Sequence, residues 1–227
     1  MENTSKQLYS QMKNRVVDER YLEDYQEMIR DEIEELRKES LLGRRFENCS
    51  FDTTIITTDS FKNAFERCKA YCNAYDEVLN KGYGMYIYGN SGVGKTHLTA
   101  CMINDLSDKL QKSIITNFFE ISKKIRNNWD REEELIKKLI TVDFLFIDDF
   151  GTEIVKKQGE DNFLQEKVYE IINARYNNLK PTIFTSNHSL NDLVSKKGFL
   201  EKTIDRVREM STRIIKIDGD SFRARGE

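Results

Sequence analysis

The stretch that decides the fold of this chain reads Gly89-Asn90-Ser91-Gly92-Val93-Gly94-Lys95-Thr96. It matches the pattern G-x-x-x-x-G-K-[ST], in which glycines let successive backbone N–H groups point at phosphate oxygens. The apolar segment 85–88 before it is typical of a buried strand, and the segment 97–106 after it is typical of a helix. Strand, glycine loop and helix form the context that this motif requires, so the sequence predicts a nucleotide site here.

Each part of this loop has an expected role in holding a polyphosphate and a metal ion. Lys95 is expected to reach the β- and γ-phosphates as a point charge, and the Thr96 hydroxyl is expected to ligate Mg²⁺. The positive end of the following helix adds to the attraction. The residues expected to contact ATP or ADP are Gly89, Asn90, Ser91, Gly92, Val93, Gly94, Lys95, Thr96 and His97.

Composition limits the partners that the whole chain can attract. The 227 residues, 38% hydrophobic and 33% charged, are enough for one well-buried domain with an appendage and a charged surface. The formal net charge of −3 gives no overall attraction to nucleic acid. Any DNA binding is therefore expected to come from local basic surfaces.

The four cysteines, at positions 49, 68, 72 and 101, form no C-x-x-C pair and have no histidine at zinc-site spacing. Cys68 and Cys72 lie four residues apart on a predicted helix and could share a metal, but burial as small apolar side chains is the favoured interpretation. Free thiols, a polar N-terminal segment and the lack of a long apolar run predict a cytoplasmic protein without a membrane partner.

Residues 1–45 are predicted to form a charged helical arm, separate from a domain over residues 46–227. Gly43 is the predicted end of its helix. The sequence leaves open whether the helix packs on its own domain or binds another protein. The prediction of one narrow apolar stripe rests on residues that recur at steps of three or four: Leu22, Tyr25, Ile29, Ile33 and Leu36.

Strand and helix patterns alternate through the rest of the chain. The segment Thr58-Asp59-Ser60 offers helix-capping side chains, and a helical period follows it up to Gly82. Further helices are expected around 119–140 and 163–179, and another is expected to carry Arg206 and Arg208. Apolar runs predict strands at 114–118, 144–147, 182–186 and 213–217. This alternation predicts a parallel α/β sheet with helices on both faces.

Polar side chains follow two of the predicted strands at the points where the strands end. Asp148 and Asp149 come directly after the run 144–147, and Asn187 follows the run 182–186. In open α/β sheets ligands bind at this edge. Asp148 is expected to hold Mg²⁺ directly or through water, Asp149 to orient and polarise the attacking water, and Asn187 to donate beside the γ-phosphate.

Basic residues lie near aromatic residues after the second predicted strand. Phe118, Phe119 and Trp129 flank the run Lys123-Lys124-Ile125-Arg126. A surface that combines phosphate attraction with base stacking binds single-stranded DNA. The alternative, aromatic residues in the core and lysines in water, is equally consistent with the sequence.

Together and in this order, these motifs resemble those of the AAA+ ATPases. Within that class they resemble the DnaC- and DnaI-type bacterial helicase loaders and the related IstB-type transposition ATPases. The resemblance spans residues 46–223, and it implies a five-stranded parallel P-loop sheet; the short tail after Arg223 predicts no large helical lid. The motifs that carry the resemblance are G-N-S-G-V-G-K-T-H at 89–97, F-I-D-D-F-G-T-E at 146–153, T-S-N at 185–187, D-R-V-R at 205–208 and G-D-S-F-R at 219–223.

The resemblance also implies roles for three residues. Asn187 takes the sensor-1 position, Arg206 the arginine finger that reaches a neighbouring subunit's nucleotide, and Arg223 the sensor-2 position. Arg208 is the alternative to Arg206 as the finger. A finger supplied across an interface makes hydrolysis depend on self-association.

The implied function is that of an ATP-dependent helicase loader, bacterial or phage-encoded. Such a protein binds ATP, Mg²⁺ and single-stranded DNA, delivers the DnaB-type hexameric replicative helicase to DNA, and hydrolyses ATP slowly unless assembled. Two alternatives stay open. One is an IstB-type helper that assembles on duplex DNA, and the other is an inhibitor or adaptor of the helicase with negligible turnover.

The sequence departs from the family pattern in two places. Asp149 stands where most AAA+ proteins have glutamate, although a double aspartate is familiar in the loader and IstB-like branch. The arm lacks the cysteine and histidine zinc cluster of DnaI-type loaders. The amphipathic segment 22–36 is therefore a candidate helicase-docking element by its position.

Overall fold

The computed structural model describes residues 19–127, 129–151, 160–197 and 199–222. Their centre is one five-stranded sheet in the order β2-β3-β4-β1-β5, in which each neighbouring pair is parallel. This arrangement confirms the predicted parallel α/β fold. The strands are β1 Gly84–Gly89, β2 Ser113–Thr116, β3 Phe144–Ile147, β4 Thr182–Ser186 and β5 Ser211–Ile217.

Nine α-helices accompany the sheet within the described residues. They are α1 Glu19–Glu39, α2 Asp59–Asn73, α3 Tyr75–Lys81, α4 Lys95–Asp108, α5 Phe118–Asn127, α6 Glu132–Thr141, α7 Glu160–Asn177, α8 Leu190–Lys197 and α9 Glu201–Met210. Two short 3₁₀ helices, Arg44–Phe46 and Trp129–Arg131, complete the helical elements of this part of the chain.

Strands β1 to β4 are buried on both faces, which explains their apolar runs, whereas the edge strand β5 alternates buried and exposed residues. Met85 and Ile87 of β1 face a core shared with α2, α3 and α4, whereas Tyr86 between them faces the core shared with helices α5 to α9. Successive side chains of a strand point to opposite faces, so a strand covered on both faces is mostly apolar, and its buried polar residues need hydrogen-bond partners.

Two predicted helices are each divided in the structure. The helix expected between Thr58 and Gly82 is two helices, α2 and α3, separated at Ala74. Thr58 caps α2 by accepting from Phe61 N at 3.1 Å, and Gly82 ends α3 with φ 68°. The apolar period continues across Ala74 without a change of phase, and for this reason the sequence pattern does not reveal the break.

The segment expected to be one helical region over 119–140 is likewise divided into α5, a 3₁₀ turn and α6. Phe118 belongs to the core, where its ring centroid lies 5.1 Å from that of Phe150 and 6.0 Å from that of Phe199. Because Phe118 lies in the core, it is not available to stack on bases in the predicted single-strand-binding surface. Phe119 is 60% exposed, and the side chain of Trp129 lies outside the described residues.

Helix α1, the described part of the predicted arm, packs along the edge strand β2. Its stripe is used in this contact, since Ile29 and Ile33 are buried. The helix ends at Glu39 rather than at Gly43, because the next residues pair with the sheet edge: Leu41 N donates to the carbonyl of Ile115 at 3.1 Å. The interpretation of α1 as a helix that packs on its own domain is thus correct for this face.

The cysteines behave as the favoured interpretation predicts. All four are free thiols, and Cys68, Cys72 and Cys101 are buried. Across the described residues, no group of three or more histidine, cysteine, aspartate or glutamate side chains is arranged to hold a metal. None of the described helices has the length and hydropathy needed to cross a membrane.

Arg175 of α7 holds together the edge of the sheet at which the strands begin. It has no exposed surface. Its guanidinium donates to Thr182 Oγ1 and Pro181 O at the start of β4, and also to backbone carbonyls at the end of α6 and before β3: Leu139, Ile140, Val142 and Asp143. One buried cation thus satisfies acceptors from the end of α6, the connector before β3 and the start of β4.

We predict that Arg175→Met destabilises the fold, because several buried carbonyls lose their donor at once. The expected loss is about 3 kcal/mol or more in the free energy of unfolding, measured by urea denaturation. Arg67→Met on the exposed face of α2 is the matched control, expected to change stability by less than about 0.5 kcal/mol. Equal effects of the two substitutions would contradict the role given to Arg175.

Candidate functional site

The ends of the parallel strands place the predicted site residues along one edge of the sheet. Residues 89–96 follow β1, Asp148 and Asp149 follow β3, and Asn187 follows β4. The strand β4 lies between β1 and β3, with Tyr88 paired to Ser186 and Ile147 to Phe184. Segments far apart in sequence are therefore neighbours at this edge, as expected for an α/β ligand site.

The glycine loop has the backbone that a phosphate cradle requires. Gly92 and Gly94 have φ values of 83° and 95°, which side-chain-bearing residues rarely adopt. There is also no room for a larger residue: a Cβ on Gly92 would lie 2.0 Å from Ser221 Oγ, and one on Gly94 would lie 2.6 Å from Phe61 Cε2. Helix α4 starts at Lys95, so the N–H groups of its first turn adjoin the loop.

Lys95 is 5% exposed and its ammonium group joins the loop to β4. It donates to the carbonyls of Gly89 and Asn90, each at 2.9 Å, and to Asn187 Oδ1 at 2.8 Å. These contacts bring the predicted phosphate-binding lysine and the predicted sensor residue together. A buried ammonium held this way is an electrostatic partner for a polyphosphate.

Asp148 lies between two threonine hydroxyls. Thr96 Oγ1 donates to Asp148 Oδ2 at 3.2 Å, and Thr185 Oγ1 donates to Asp148 Oδ1. A hydroxyl and a carboxylate from separate elements, at hydrogen-bonding distance, are hard oxygen ligands of the kind that Mg²⁺ takes alongside phosphate and water. Thr96 and Asp148 therefore fit the predicted metal site.

Burial raises the pKa of Asp148, and the hydrogen bond from Thr185 opposes that rise. The neighbouring Asp149 raises it further by like-charge repulsion. A nearby cation would relieve both the desolvation and the repulsion. The electrostatics of the site thus favour the binding of a positive ion next to Asp148.

The turn after β3 is held by hydrogen bonds from β4. Asp149 has a left-handed φ of 52° and lies on the surface. Its N–H donates to Thr185 Oγ1 at 3.0 Å, Phe150 N donates to Thr185 O at 2.7 Å, and Ser186 Oγ donates to Phe150 O at 2.6 Å. The two acids are consequently fixed by the strand that also carries Asn187.

His97 lies on a different side of the loop helix from Lys95. Its Nε2 is 2.9 Å from Thr54 Oγ1, its Nδ1 is 3.4 Å from Cys49 Sγ, and Cys101 Sγ is 3.7 Å from Nε2. These contacts tie α4 to the connector before α2. Burial lowers the pKa of His97, so the neutral ring is the form that suits this packing. The contacts of His97 are structural ones, whereas its expected contact with nucleotide stays a prediction.

The two candidate finger arginines lie on α9, each partly exposed. Arg206 donates to Asn173 Oδ1 at 3.2 Å and to Glu209 Oε2 at 2.5 Å, and its guanidinium carbon lies 4.7 Å from the centroid of the Tyr176 ring. Arg208 donates to Asp205 and Asn191. Arg206 is thus held against α7 by Asn173 and Tyr176, and by Glu209 of its own helix, in a defined orientation.

The predicted sensor-2 residue, Arg223, lies outside the described residues. The two residues before it contact the glycine loop. Phe222 N donates to the Gly92 carbonyl at 2.9 Å, and the Phe222 ring packs edge-on against Phe61 with centroids 5.8 Å apart. The chain after β5 therefore returns to the phosphate loop immediately before Arg223.

Two further residues at this edge, Thr185 and Phe61, contact the predicted site, and the sequence pattern assigns no role to either. Thr185 belongs to the T-S-N motif, in which only the asparagine has a predicted role. Phe61 lies in the first turn of α2, and more than thirty residues of sequence separate it from Gly94 of the loop, which it contacts. The sequence feature that could indicate a role for Thr185 is its position near the end of a strand. That strand lies beside β3, which is followed by the two acids.

The motifs of the site lie within a region that matches a known protein family. Residues 45–210 match the family described as the bacterial DnaA ATPase domain. That match covers well over half of the chain.

Relatives of known name include two loaders of the replicative helicase. The chain is 26% identical to the replicative helicase loader DnaC of Escherichia coli (strain K12) over 184 residues, which is 79% of this chain and 71% of that protein. It is 28% identical to the replicative helicase loader DnaI of Bacillus subtilis (strain 168), covering 82% of this chain and 60% of that protein. The crystal structure of the DnaC helicase loader superposes with a TM-score of 0.67 at 25% identity, covering 78% of this chain and 100% of that one.

The burial of His97 predicts a pH-dependent stability. The pKa of His97 lies below its ordinary value of 6.5 in the folded chain, so the unfolded chain binds the proton more readily. Stability from neutral His97 is present above pH 6.5 and is lost as the pH falls from there through the lower folded pKa. In urea unfolding between pH 7.5 and 5.5, we expect His97→Gln to reduce the dependence of stability on pH.

The second histidine of the chain, His188, supplies the matched control. The variant His188→Gln is expected to keep the contribution of His97. A wild-type pH dependence that persists unchanged in His97→Gln would contradict this assignment.

Proposed function

Because the chain belongs to the bacterial DnaA ATPase-domain family of AAA+ proteins, we propose that it is an ATP-dependent loader of a replicative helicase. The observation that carries the nucleotide part is a pair of hydrogen bonds from adjacent residues of the loop: Lys95 bonds to Asn187, and Thr96 bonds to Asp148. The helicase part rests on the similarity to the loaders DnaC and DnaI.

In the proposed reaction the loop residues bind the polyphosphate of ATP. The backbone N–H groups of residues 91–96 surround its oxygens, and Lys95 exchanges its bonds to backbone carbonyls for bonds to phosphate. Thr96 and Asp148 would hold Mg²⁺, and the ion would supply positive charge that neutralises the charge developing on the phosphates. Each group contributes an interaction that strengthens as negative charge builds up on the γ-phosphoryl oxygens.

Hydrolysis needs a positioned water molecule, and Asp149 and Asn187 are the side chains proposed to orient it. Asp149 follows the metal-binding acid and is surface-exposed, so a water can reach its carboxylate. Asn187 contacts Lys95 and can donate to the same water or to the γ-phosphate. Aspartate is one methylene shorter than the glutamate of most AAA+ proteins, and we propose slow turnover by the isolated subunit for this reason.

The finger is proposed to come from a second copy of the chain. Arg206 makes its described contacts with α7 and with Glu209 of its own helix rather than with the glycine loop. An arginine oriented in this way can be presented to a neighbour without a search through rotamers. Hydrolysis would then be stimulated when subunits assemble on the helicase or on DNA.

Single-stranded DNA is the proposed ligand of the surface that begins with α5. Phe119 is 60% exposed, and the Lys123 side chain one turn later is 54% exposed. An exposed ring for base stacking next to a lysine for phosphate is the minimal unit of a sequence-tolerant strand surface. Helix α5 directly follows β2, so this pair belongs to the same edge of the sheet as the nucleotide site.

The first experiment combines the protein with the replicative helicase of its own host. Complex mass is measured with and without ATP and Mg²⁺, and ATP turnover with and without single-stranded DNA. We expect a defined complex and turnover that DNA stimulates. Lys95→Ala should abolish nucleotide binding and turnover, because the buried cation that faces the phosphates is gone, whereas Lys62→Ala on the exposed surface of α2 should leave both unchanged.

Other outcomes of this experiment would identify another function. The absence of a complex together with ATP-dependent assembly on duplex DNA would indicate an IstB-type transposition helper. A complex that forms without measurable turnover and survives Lys95→Ala would indicate an inhibitor or adaptor of the helicase. Either result contradicts the loader proposal.

The finger assignment is tested by mixing two inactive variants. Arg206→Ala should lower assembly-stimulated turnover by about 1000-fold, since the positive charge at the γ-phosphoryl is lost. Asp149→Asn should bind ATP without hydrolysing it while still presenting Arg206. Mixed subunits should regain turnover, because each variant then supplies the part that the other lacks.

Arg208→Ala is the matched control, two residues away on the same helix and similarly exposed. It is expected to retain stimulated turnover. Retained turnover in Arg206→Ala with loss in Arg208→Ala would transfer the finger role to Arg208.

A further inference from the structure

Thr185 is a buried hydroxyl residue that connects strand β4 to both acids after β3. It is 1% exposed and lies one residue before the end of its strand. Its register partner on β1 is Ile87. A threonine buried at this position must find partners for its hydroxyl, and it finds them in the site.

The two hydrogen bonds of this hydroxyl act on different acids. The hydroxyl proton is donated to Asp148 Oδ1, and the oxygen accepts the backbone N–H of Asp149 at 3.0 Å. A hydroxyl has one proton to donate, so that proton is committed to Asp148. With Thr96 donating to Oδ2 at 3.2 Å, both oxygens of the Asp148 carboxylate have a fixed partner.

The bond to Asp149 holds a backbone conformation that is unfavourable by itself. The left-handed region is sterically unfavourable for a residue with a side chain, and Asp149 lies in it with φ 52°. Thr185 contributes a second contact to this turn, because its carbonyl accepts from Phe150 N at 2.7 Å. The conformation of the turn thus depends on Thr185 through both side chain and backbone.

We propose that Thr185 is a positioning residue for Mg²⁺-dependent nucleotide binding and turnover, acting through the plane of the Asp148 carboxylate and the turn at Asp149. The inference rests on the proposed function, since it takes Asp148 as a ligand of Mg²⁺. Partners that fix the orientation of a metal-binding carboxylate raise the affinity for the metal, because less rotational freedom is lost when the ion binds.

The test compares three variants with the wild type. Thr185→Val removes the hydroxyl and nearly keeps the shape, and Thr185→Ser restores the hydroxyl. Thr116→Val is the matched control: Thr116 ends β2, is 5% exposed, and directs its hydroxyl at the Asn117 carbonyl, 3.4 Å away, rather than at an acid. The measurements are the Kd of a fluorescent ATP analogue with and without Mg²⁺, turnover as a function of Mg²⁺ concentration, and thermal unfolding.

We expect Thr185→Val to raise the Mg²⁺ concentration for half-maximal turnover by about 10- to 100-fold. The gain in nucleotide affinity from Mg²⁺ should be largely lost, while affinity without Mg²⁺ stays at the wild-type level because the loop and Lys95 are intact. Thr185→Ser and Thr116→Val should respond to Mg²⁺ as the wild type does.

A wild-type Mg²⁺ response in Thr185→Val, even with lowered thermal stability, would overturn the inference, as would a failure of Thr185→Ser to restore the response. If Thr185→Val does not fold, Thr185→Ala is measured in the same way, since it removes the hydroxyl without placing a methyl group against the carboxylate. Wild-type protein without turnover would contradict the proposed function alone, because Mg²⁺-dependent nucleotide binding still tests Thr185.

Discussion

The parallel pairing of β4 between β1 and β3 is the constraint on which the rest of this structure depends. It places three strand ends side by side, and each end carries a different part of the site. The glycine loop follows β1, the acids follow β3, and Asn187 follows β4. Because Lys95 contacts Asn187 and Thr185 contacts both acids, a shift of β4 would disturb all parts of the site together. The geometry of the site therefore depends on strand register as well as on the identity of its residues.

The two edges of the sheet have different kinds of polar interaction. At the edge where strands begin, Arg175 is fully buried and bonded to carbonyls of three elements, an arrangement that serves stability. At the opposite edge, where the strands end, polar side chains bond to one another, and the same side chains are suited to bind a nucleotide and its metal ion. Lys95 donates to carbonyls of the loop, and a phosphate can take the place of these carbonyls as its hydrogen-bond partner. Asp148 accepts hydrogen bonds from hydroxyls. Stability and binding are thus separated along the strand direction, so changes at one edge can be studied with the other intact.

The packing of helix α1 limits which of its residues a partner protein could contact. Its apolar stripe lies on β2, and Lys138 pairs with Glu39 at 2.6 Å where the helix ends. The helix and the residues after it also cover the free edge of β2, which otherwise offers unpaired backbone groups to other strands. A helicase that contacts α1 in this arrangement would meet its charged outer face, with Tyr21 and Met28 as the large apolar side chains exposed there.

The sequence by itself determined the glycine loop, the five strands, the acids after β3 and Asn187, because these features depend on local rules: glycine conformation, strand burial and the polar residues that end strands. The sequence also allowed α1 either to pack on its own domain or to bind another protein, and Phe118 either to lie in the core or to stack on DNA. An apolar stripe or an aromatic ring does not by itself indicate which surface it packs against. Only the tertiary structure decided that α1 packs on β2, that Phe118 is in the core, and that Thr185 holds Asp148. These contacts join residues that are distant in the chain, and side chains meet in this way only once strand order and register are fixed.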